Sequence, residues 1–293
     1  MYFNRKIFMP KTISELFQCI AENPDSQIWA GGTFIMSRPD FYPDTSTRPL
    51  IYLGKIDAFF DITKNIRTVD VGCMVCASRM LEIGKLIFND LLLHTLDATA
   101  SSIVRDQMTI GGALCTSGIR FALPGTLILM NTEAEILKVQ DNKHTTKRIP
   151  LRRIYDATGK LQLEKNSIIS KLRIEYESSD YERFICIGDP IRKPESTVIL
   201  ALRADITGGM VSEMQLCITF PLAGMYFASE LCNELEGAQI PLSAQKVVDL
   251  SHKLIADIGK NLPLVTLLQR ERCRRVFQNV LFSMKPKHGT AYY

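Results

Sequence analysis

The sequence predicts an α+β protein in which α/β units are followed by an antiparallel sheet carrying helices. Three observations predict this. Strand-like and helix-like segments alternate through the first half of the chain. From Ser167 onward, four strand-like segments follow one another, and Thr207-Gly208-Gly209 reads as the hairpin turn between the last two. Beyond Phe220-Pro221 the apolar spacing is helical. The organisation changes near residue 167, which divides the chain into two domains, 1–167 and 168–293.

Taken in order, Pro10 to Glu15 opens the first helix. Thr12 is its cap, Glu15 completes a capping box, and Leu16, Phe17 and Ile20 form the buried face. Asn23-Pro24-Asp25 ends it. Gln27 to Ala30 is a short strand running into Gly31-Gly32, and Leu50 to Leu53 is a second strand closed by Gly54. Arg67 to Gly72 is β-branched and alternating, hence a strand. A helix over Arg79 to Phe88, capped by Ser78, and another over Asp97 to Val104 follow. Ala134 to Val139 is a strand, and Gln140-Asp141-Asn142-Lys143 a turn. Strands are expected at Ser167 to Glu175, Arg183 to Ile187, Thr197 to Ile206 and Met210 to Thr219. Helices are expected at about 226–236, 242–258 and 264–284, and the residues from Lys285 to Tyr293 form a mobile tail.

Composition excludes several function classes. The chain is 46% hydrophobic and 23% charged, ordinary for a globular protein and wrong for a disordered chain, a collagen or a coiled coil. A net charge of +4 is too small to argue for nucleic acid. The apolar runs Leu91–Leu93 and Val198–Leu202 are far short of the ~20 residues of a membrane span. No secretory signal is visible at the N-terminus, so a cytoplasmic location is expected. The eight cysteines are scattered through apolar segments, as buried thiols in a reducing compartment are. Cys73-Met74-Val75-Cys76 has metal-ligand spacing, but no second cysteine pair or matching histidines complete a set, so a structural role is expected and no metal. Cys115 is expected as a packed core thiol. His94, His144, His252 and His288 belong to no nucleophile motif, and the run Arg270 to Arg275 spreads around a helix as a solvated face.

The two Gly-Gly pairs carry the chemistry. Gly31-Gly32-Thr33 follows a strand, and Gly111-Gly112 follows Thr109-Ile110. Glycine admits positive φ and close backbone approach, and successive free N–H groups form an anion-binding concavity. Taken singly, either pair is read first as an ordinary tight turn. Taken together on two walls of a cleft, they hold a diphosphate without lysine. Neither is a P-loop, and neither has the spaced glycines of a Rossmann site, so a standard nicotinamide dehydrogenase is not supported.

Trp29-Ala30-Gly31-Gly32-Thr33 and Val104-Arg105-Asp106-Gln107-Met108-Thr109-Ile110-Gly111-Gly112 resemble the two flavin motifs of the FAD-binding medium subunit of molybdenum hydroxylases, the xanthine dehydrogenase and carbon monoxide dehydrogenase type. Their usual forms are Ala-Gly-Gly-Thr-Asp/Ser-Leu and Ile-Arg-Asn-x-x-Thr-Ile-Gly-Gly-Asn. The segments Phe8 to Thr12, Val71-Gly72 with Leu81-Glu82-Ile83, Glu230 to Gly237 and Cys273 to Phe277 resemble the family in the same order. The resemblance implies a two-lobed, PCMH-type FAD-binding domain followed by a C-terminal antiparallel sheet with helices. It implies that the backbone of Gly31, Gly32, Thr33, Ile35, Thr109, Gly111 and Gly112 holds the pyrophosphate, with Ala30, Phe34 and Ile110 in the same two segments also cofactor-binding. No catalytic side chain is implied. Electrons would leave a substrate at a molybdopterin subunit, cross the clusters of an iron–sulfur subunit, reach FAD here and pass to NAD or another acceptor.

Several positions depart from the family pattern. Phe34 stands where Asp or Ser is usual, Asp106 for Asn, and Ala113 for the Asn after the second pair. Arg120 lies where an acidic residue is usual, and Cys186 where Phe-x-Lys has its lysine. These changes fall on groups around the flavin ring rather than on the diphosphate cradle. They keep open a scaffold subunit that has lost FAD, and a self-sufficient flavin oxidoreductase stands as a third reading.

Overall fold

The computed structural model describes residues 6–37, 48–116, 122–140, 143–156 and 159–285. The expected turn residues Asp141-Asn142, Arg120 and the tail beyond Lys285 lie outside the described residues.

The first lobe contains β1 (Ile7–Phe8), α1 (Ile13–Glu22), β2 (Gln27–Trp29), α2 (Thr33–Met36) and β3 (Leu50–Tyr52). The strands pair in the parallel order β1-β3-β2. Parallel neighbours need crossover connections, and α1 lies between β1 and β2 in the chain for that reason. Thr12 Oγ1 caps α1 by accepting from Glu15 N–H at 3.1 Å. The Glu15 carboxylate accepts from Lys11 N–H at 2.8 Å, one residue before the position that the expected capping box requires. Leu16, Phe17 and Ile20 pack on Ile51, Leu53 and Phe59.

The second lobe is organised differently. Its strands are β4 (Ile62–Lys64), β5 (Thr68–Gly72), β6 (Glu133–Gln140), β7 (Lys143–Pro150) and β8 (Ser167–Glu175). They pair β4-β5-β8-β6-β7, every pair antiparallel. All its α-helices are inserted between β5 and β6: α3 (Ala77–Ile83), α4 (Asp90–Thr99), α5 (Ser102–Arg105), α6 (Ile110–Leu114) and α7 (Leu123–Leu129). The helix expected over Arg79 to Phe88 begins earlier and stops at Gly84, whose φ is 57°. Ser78 is therefore inside α3 and not its cap. The helix expected over Asp97 to Val104 is replaced by α4 and the short α5. Asn89 caps α4, accepting from Leu92 N–H at 3.1 Å, and Leu91, Leu92 and Leu96 bury its inner face. That cap outweighs the small residues that suggested a later start.

The division expected at 167/168 falls on the first residue of β8. The partners of β8 are β5 and β6, so it belongs by pairing to the preceding sheet. A strand's apolar alternation does not name its partner, which is why the sequence alone grouped it with the strands that follow.

The C-terminal sheet is antiparallel in the order β12-β11-β10-β9, with β9 (Tyr181–Ile187), β10 (Val198–Thr207), β11 (Met210–Phe220) and β12 (Gly224–Phe227). Gly208 and Gly209 have φ 60° and 77°, the mirror-image turn that suits the twist of the β10–β11 hairpin. β12 replaces the start of a helix expected from about 226; α8 runs Ser229–Leu235. α9 (Ala244–Asn261) and α10 (Leu267–Ser283) cover one face through Leu250, Leu254, Phe277 and Val280. The other face meets α7. A Cβ on Gly125 would stand 2.6 Å from Cys217 Sγ, so glycine lets α7 seat against β11. Arg203 ties the seat by donating to Ser179 Oγ (2.9 Å) and to Leu129 O at the end of α7 (3.1 Å).

Candidate cofactor-binding site

The first glycine segment ends a strand and starts a turn of helix. Trp29 closes β2, Ala30 and Gly31 carry the chain off the sheet, and Gly32 takes the left-handed conformation (φ 72°) as N-cap of α2. Met36 and Ser37 N–H donate back to Gly32 O and Thr33 O. Among the described residues, the N–H groups of Gly31, Gly32, Thr33 and Ile35 have no acceptor. Four amides are thus left open on half-buried residues of one short segment, including the first turn of α2.

The second segment is closed where the first is open. Cys76 and Thr109 form an isolated bridge, and Ile110 starts α6. Ile110 N–H donates to Val75 O (2.9 Å) and Gly111 N–H to Cys73 O (3.0 Å). Gly112 N–H donates to Thr109 Oγ1 at 3.2 Å, a capping bond. The expectation that Gly111 and Gly112 form an amide-bearing loop is corrected on this point: the pair lies inside a helix, and the chain itself occupies its donors. Gly111 is glycine for packing, since a Cβ there would stand 2.6 Å from Cys73 Cβ and 3.0 Å from Cys73 O.

The two segments touch. A Cβ on Gly31 would come within 1.8 Å of Gln107 O and 3.3 Å of Thr109 N, and one on Gly112 within 3.4 Å of Ala30 Cβ. The missing side chain of Gly31 is therefore what lets the open amides of the first lobe lie beside the second segment. No charge is needed to hold the junction. Arg105, the nearest basic residue in the second motif, is bound to the carboxylate and carbonyl of Asp97. Open backbone N–H groups are the donor chemistry that an anion such as a diphosphate requires. The open donors of the first segment fit the pyrophosphate of FAD, whereas those of Gly111 and Gly112 are taken up within the chain.

Of the departures from the family pattern, Phe34 and Ala113 lie on the helices of the two segments and Cys186 on the C-terminal sheet. Phe34 is half-buried in α2, Ala113 is buried in α6, and Cys186 is half-buried in β9. Asp106 follows α5 and raises the Cys76 thiol pKa, second to burial. Cys73 is buried in the core of the first lobe, and burial pushes its thiol well above the usual range. All eight cysteines are free. Among the described residues, no group of three or more His, Cys, Asp or Glu is placed to hold a metal. Cys115, expected in the core, is instead exposed, at the C-terminal end of α6.

Sequence reasoning missed two participants: the Gln107 carbonyl under Gly31, and the Trp29 indole, which lies against Gly32. No sequence signal marks the first, because a carbonyl is common to every residue. A separate cleft of about 660 Å³ opens between the second-lobe sheet and the C-terminal domain, lined in part by Thr132, Arg173, Glu213 and Phe227. None of the residues expected to bind cofactor lines it.

Among the described residues, no helix is long and apolar enough to cross a membrane. No curated protein sequence matches the chain. Solved structures do. A carbon monoxide dehydrogenase chain from Hydrogenophaga pseudoflava superposes with a TM-score of 0.77 at 18% identity, covering 96% of each chain. Quinoline 2-oxidoreductase from Pseudomonas putida 86 gives 0.74 at 16% identity, covering 96% of this chain and 100% of that one. Reconstituted carbon monoxide dehydrogenase from Oligotropha carboxidovorans gives 0.75 at 15% identity, covering 96% of each. At these identities the likeness is one of fold. The family model described as the FAD binding domain in molybdopterin dehydrogenase matches residues 3–175, both glycine segments included, and the chain belongs to that family.

Proposed function

We propose that this chain is the FAD-carrying electron-transfer subunit of a molybdenum-containing hydroxylase or dehydrogenase. In this reading an iron–sulfur subunit delivers electrons from a molybdopterin subunit, and NAD or another acceptor receives them, in the cytoplasm. The observation that carries the reading is the set of open amides at Gly31, Gly32, Thr33 and Ile35, held against the second motif. When bound, FAD supplies the redox chemistry, and the protein binds, orients and tunes it. The first segment would hold the diphosphate by N–H donation. Ala30 and the α6 segment from Thr109 to Gly112 would shape the wall opposite. The flavin-binding unit would run to Glu175, where β8 ends.

Protein purified from flavin-replete cells should carry stoichiometric FAD by absorbance, or take it up in titration. Alone it should oxidise no purine or aldehyde, and the cognate iron–sulfur and molybdopterin subunits should create that activity. One observation favours a second reading, a scaffold subunit that has lost FAD: the amides of Gly111 and Gly112 are already engaged. Colourless protein with no affinity for FAD would establish that alternative.

A further inference from the structure

Trp29 is the sole tryptophan of the chain. It is the last residue of β2, and its ring folds forward over Gly32, three positions on. A Cβ on Gly32 would stand 2.6 Å from Cζ2 and 2.7 Å from both Cε2 and Nε1. The edge facing the loop is thus the edge that carries the indole N–H. An indole nitrogen donates and cannot accept, and a half-buried one ordinarily has a partner. Among the described residues, Trp29 Nε1–H has none. The N–H groups of Gly32, the residue the ring lies over, and of Thr33 after it are likewise open among the described residues. Gly32 makes this placement possible twice over. Its left-handed φ suits glycine, and its missing side chain leaves the room that the ring occupies.

We propose that Trp29 is a positioning residue of the cofactor site, its Nε1–H donating to a phosphate oxygen of the dinucleotide alongside the first-segment amides. The inference rests on the FAD reading above and adds a side chain to a cradle otherwise made of backbone. Arg105, the basic residue of the second motif, is already bound to Asp97, so a neutral donor beside the cradle adds to its hold on phosphate.

The test compares the wild-type full-length chain with Trp29→Phe, which keeps an aromatic wall and removes the N–H. FAD and ADP are titrated into both, with riboflavin, which lacks phosphate, as the control. The expected result is a loss of about tenfold in affinity for FAD and ADP, the scale of one hydrogen bond to a charged acceptor, with riboflavin unaffected. Equal affinity for FAD and ADP overturns the proposal. Tighter binding by the variant also overturns it, showing that the ring covers the amides. An equal loss for riboflavin overturns it in favour of ring stacking. A second measurement needs no variant. A single tryptophan gives a single indole N–H resonance, which should shift downfield when ADP is added to the ¹⁵N-labelled wild type; an unmoved resonance in ADP-saturated protein overturns the proposal. Failure of the FAD reading looks different, because the wild type then binds neither FAD nor ADP.

Discussion

The same dipeptide plays two different parts in this molecule. Gly31-Gly32 leaves its amides open and turns left-handed into a single turn of helix. Gly111-Gly112 is right-handed, lies within α6, and spends its amides on Cys73 O and Thr109 Oγ1. The first pair is glycine so that a neighbour can come close to an unsatisfied backbone. The second is glycine so that a helix can lie against Cys73. A Gly-Gly pair in a motif therefore does not by itself say which lobe supplies the donors. The partners of the N–H groups say that.

Substitutions break this contrast in a graded way. The largest effect is expected at Gly111→Asp. The resemblance places the Gly111 backbone on the pyrophosphate, but the structure puts the new side chain into Cys73 and buries a carboxylate. Overpacking of ~1–3 kcal/mol with a further desolvation cost of several kcal/mol should leave little folded protein, readable by circular dichroism and urea titration. A stable variant that has merely lost FAD affinity would return Gly111 to the pyrophosphate.

Gly31→Ala comes next. Its Cβ would meet a backbone carbonyl, which cannot rotate aside, so the two segments must separate. A loss of ~1–3 kcal/mol in stability is expected, with a larger relative loss in FAD affinity than any stability loss of that size causes in the C-terminal domain. Unchanged FAD affinity would show that the junction is not the cofactor site.

Asp70→Asn sharpens the contrast from outside, because it alters the second-lobe sheet without touching either glycine pair. Asp70 lies on β5 and accepts two bonds from Arg173 on β8, at 2.7 and 2.8 Å. Those bonds hold its carboxyl below the usual range, and burial opposes them. A depressed folded pKa stabilises above the unfolded value of about 3.9 and is lost as pH falls through the folded value. The variant should therefore be less stable than wild type by ~1–3 kcal/mol near pH 7, the gap closing below about pH 4, with FAD affinity unaltered. A gap independent of pH down to acid unfolding would contradict the ion-pair account.

The smallest effect is expected at Thr109→Ala, which removes the acceptor of the Gly112 N–H and costs about 1 kcal/mol of stability. If the freed amide then binds phosphate, affinity for FAD should hold or rise. A fall in affinity without loss of stability would mean that the Thr109 hydroxyl itself meets the ligand.

Local chemistry made much of this molecule readable from the sequence. Thr12 caps α1 because its hydroxyl reaches the third amide onward whatever the rest of the chain does. Gly208-Gly209 turns the β10–β11 hairpin because two positive-φ positions suit that turn. The C-terminal helices follow their apolar spacing, and the family resemblance rested on residues that remain adjacent along the chain. Long-range partners were not readable. β8 sits between β5 and β6, which are far from it in sequence, and its alternation fits any half-buried sheet. α4 starts at Asn89, where a cap joins a leucine run whose burial depends on α7 and the sheet. The open amides at Gly31 to Ile35, the spent amides at Gly111 and Gly112, and the Trp29 ring over Gly32 were likewise decided in three dimensions. Sequence by itself determined which residues permit close approach, since that is a property of each side chain or its lack. Tertiary structure decided what approaches them and whether a donor is left over, because a hydrogen bond needs its second atom within about 3 Å, and the folded chain alone brings that atom there.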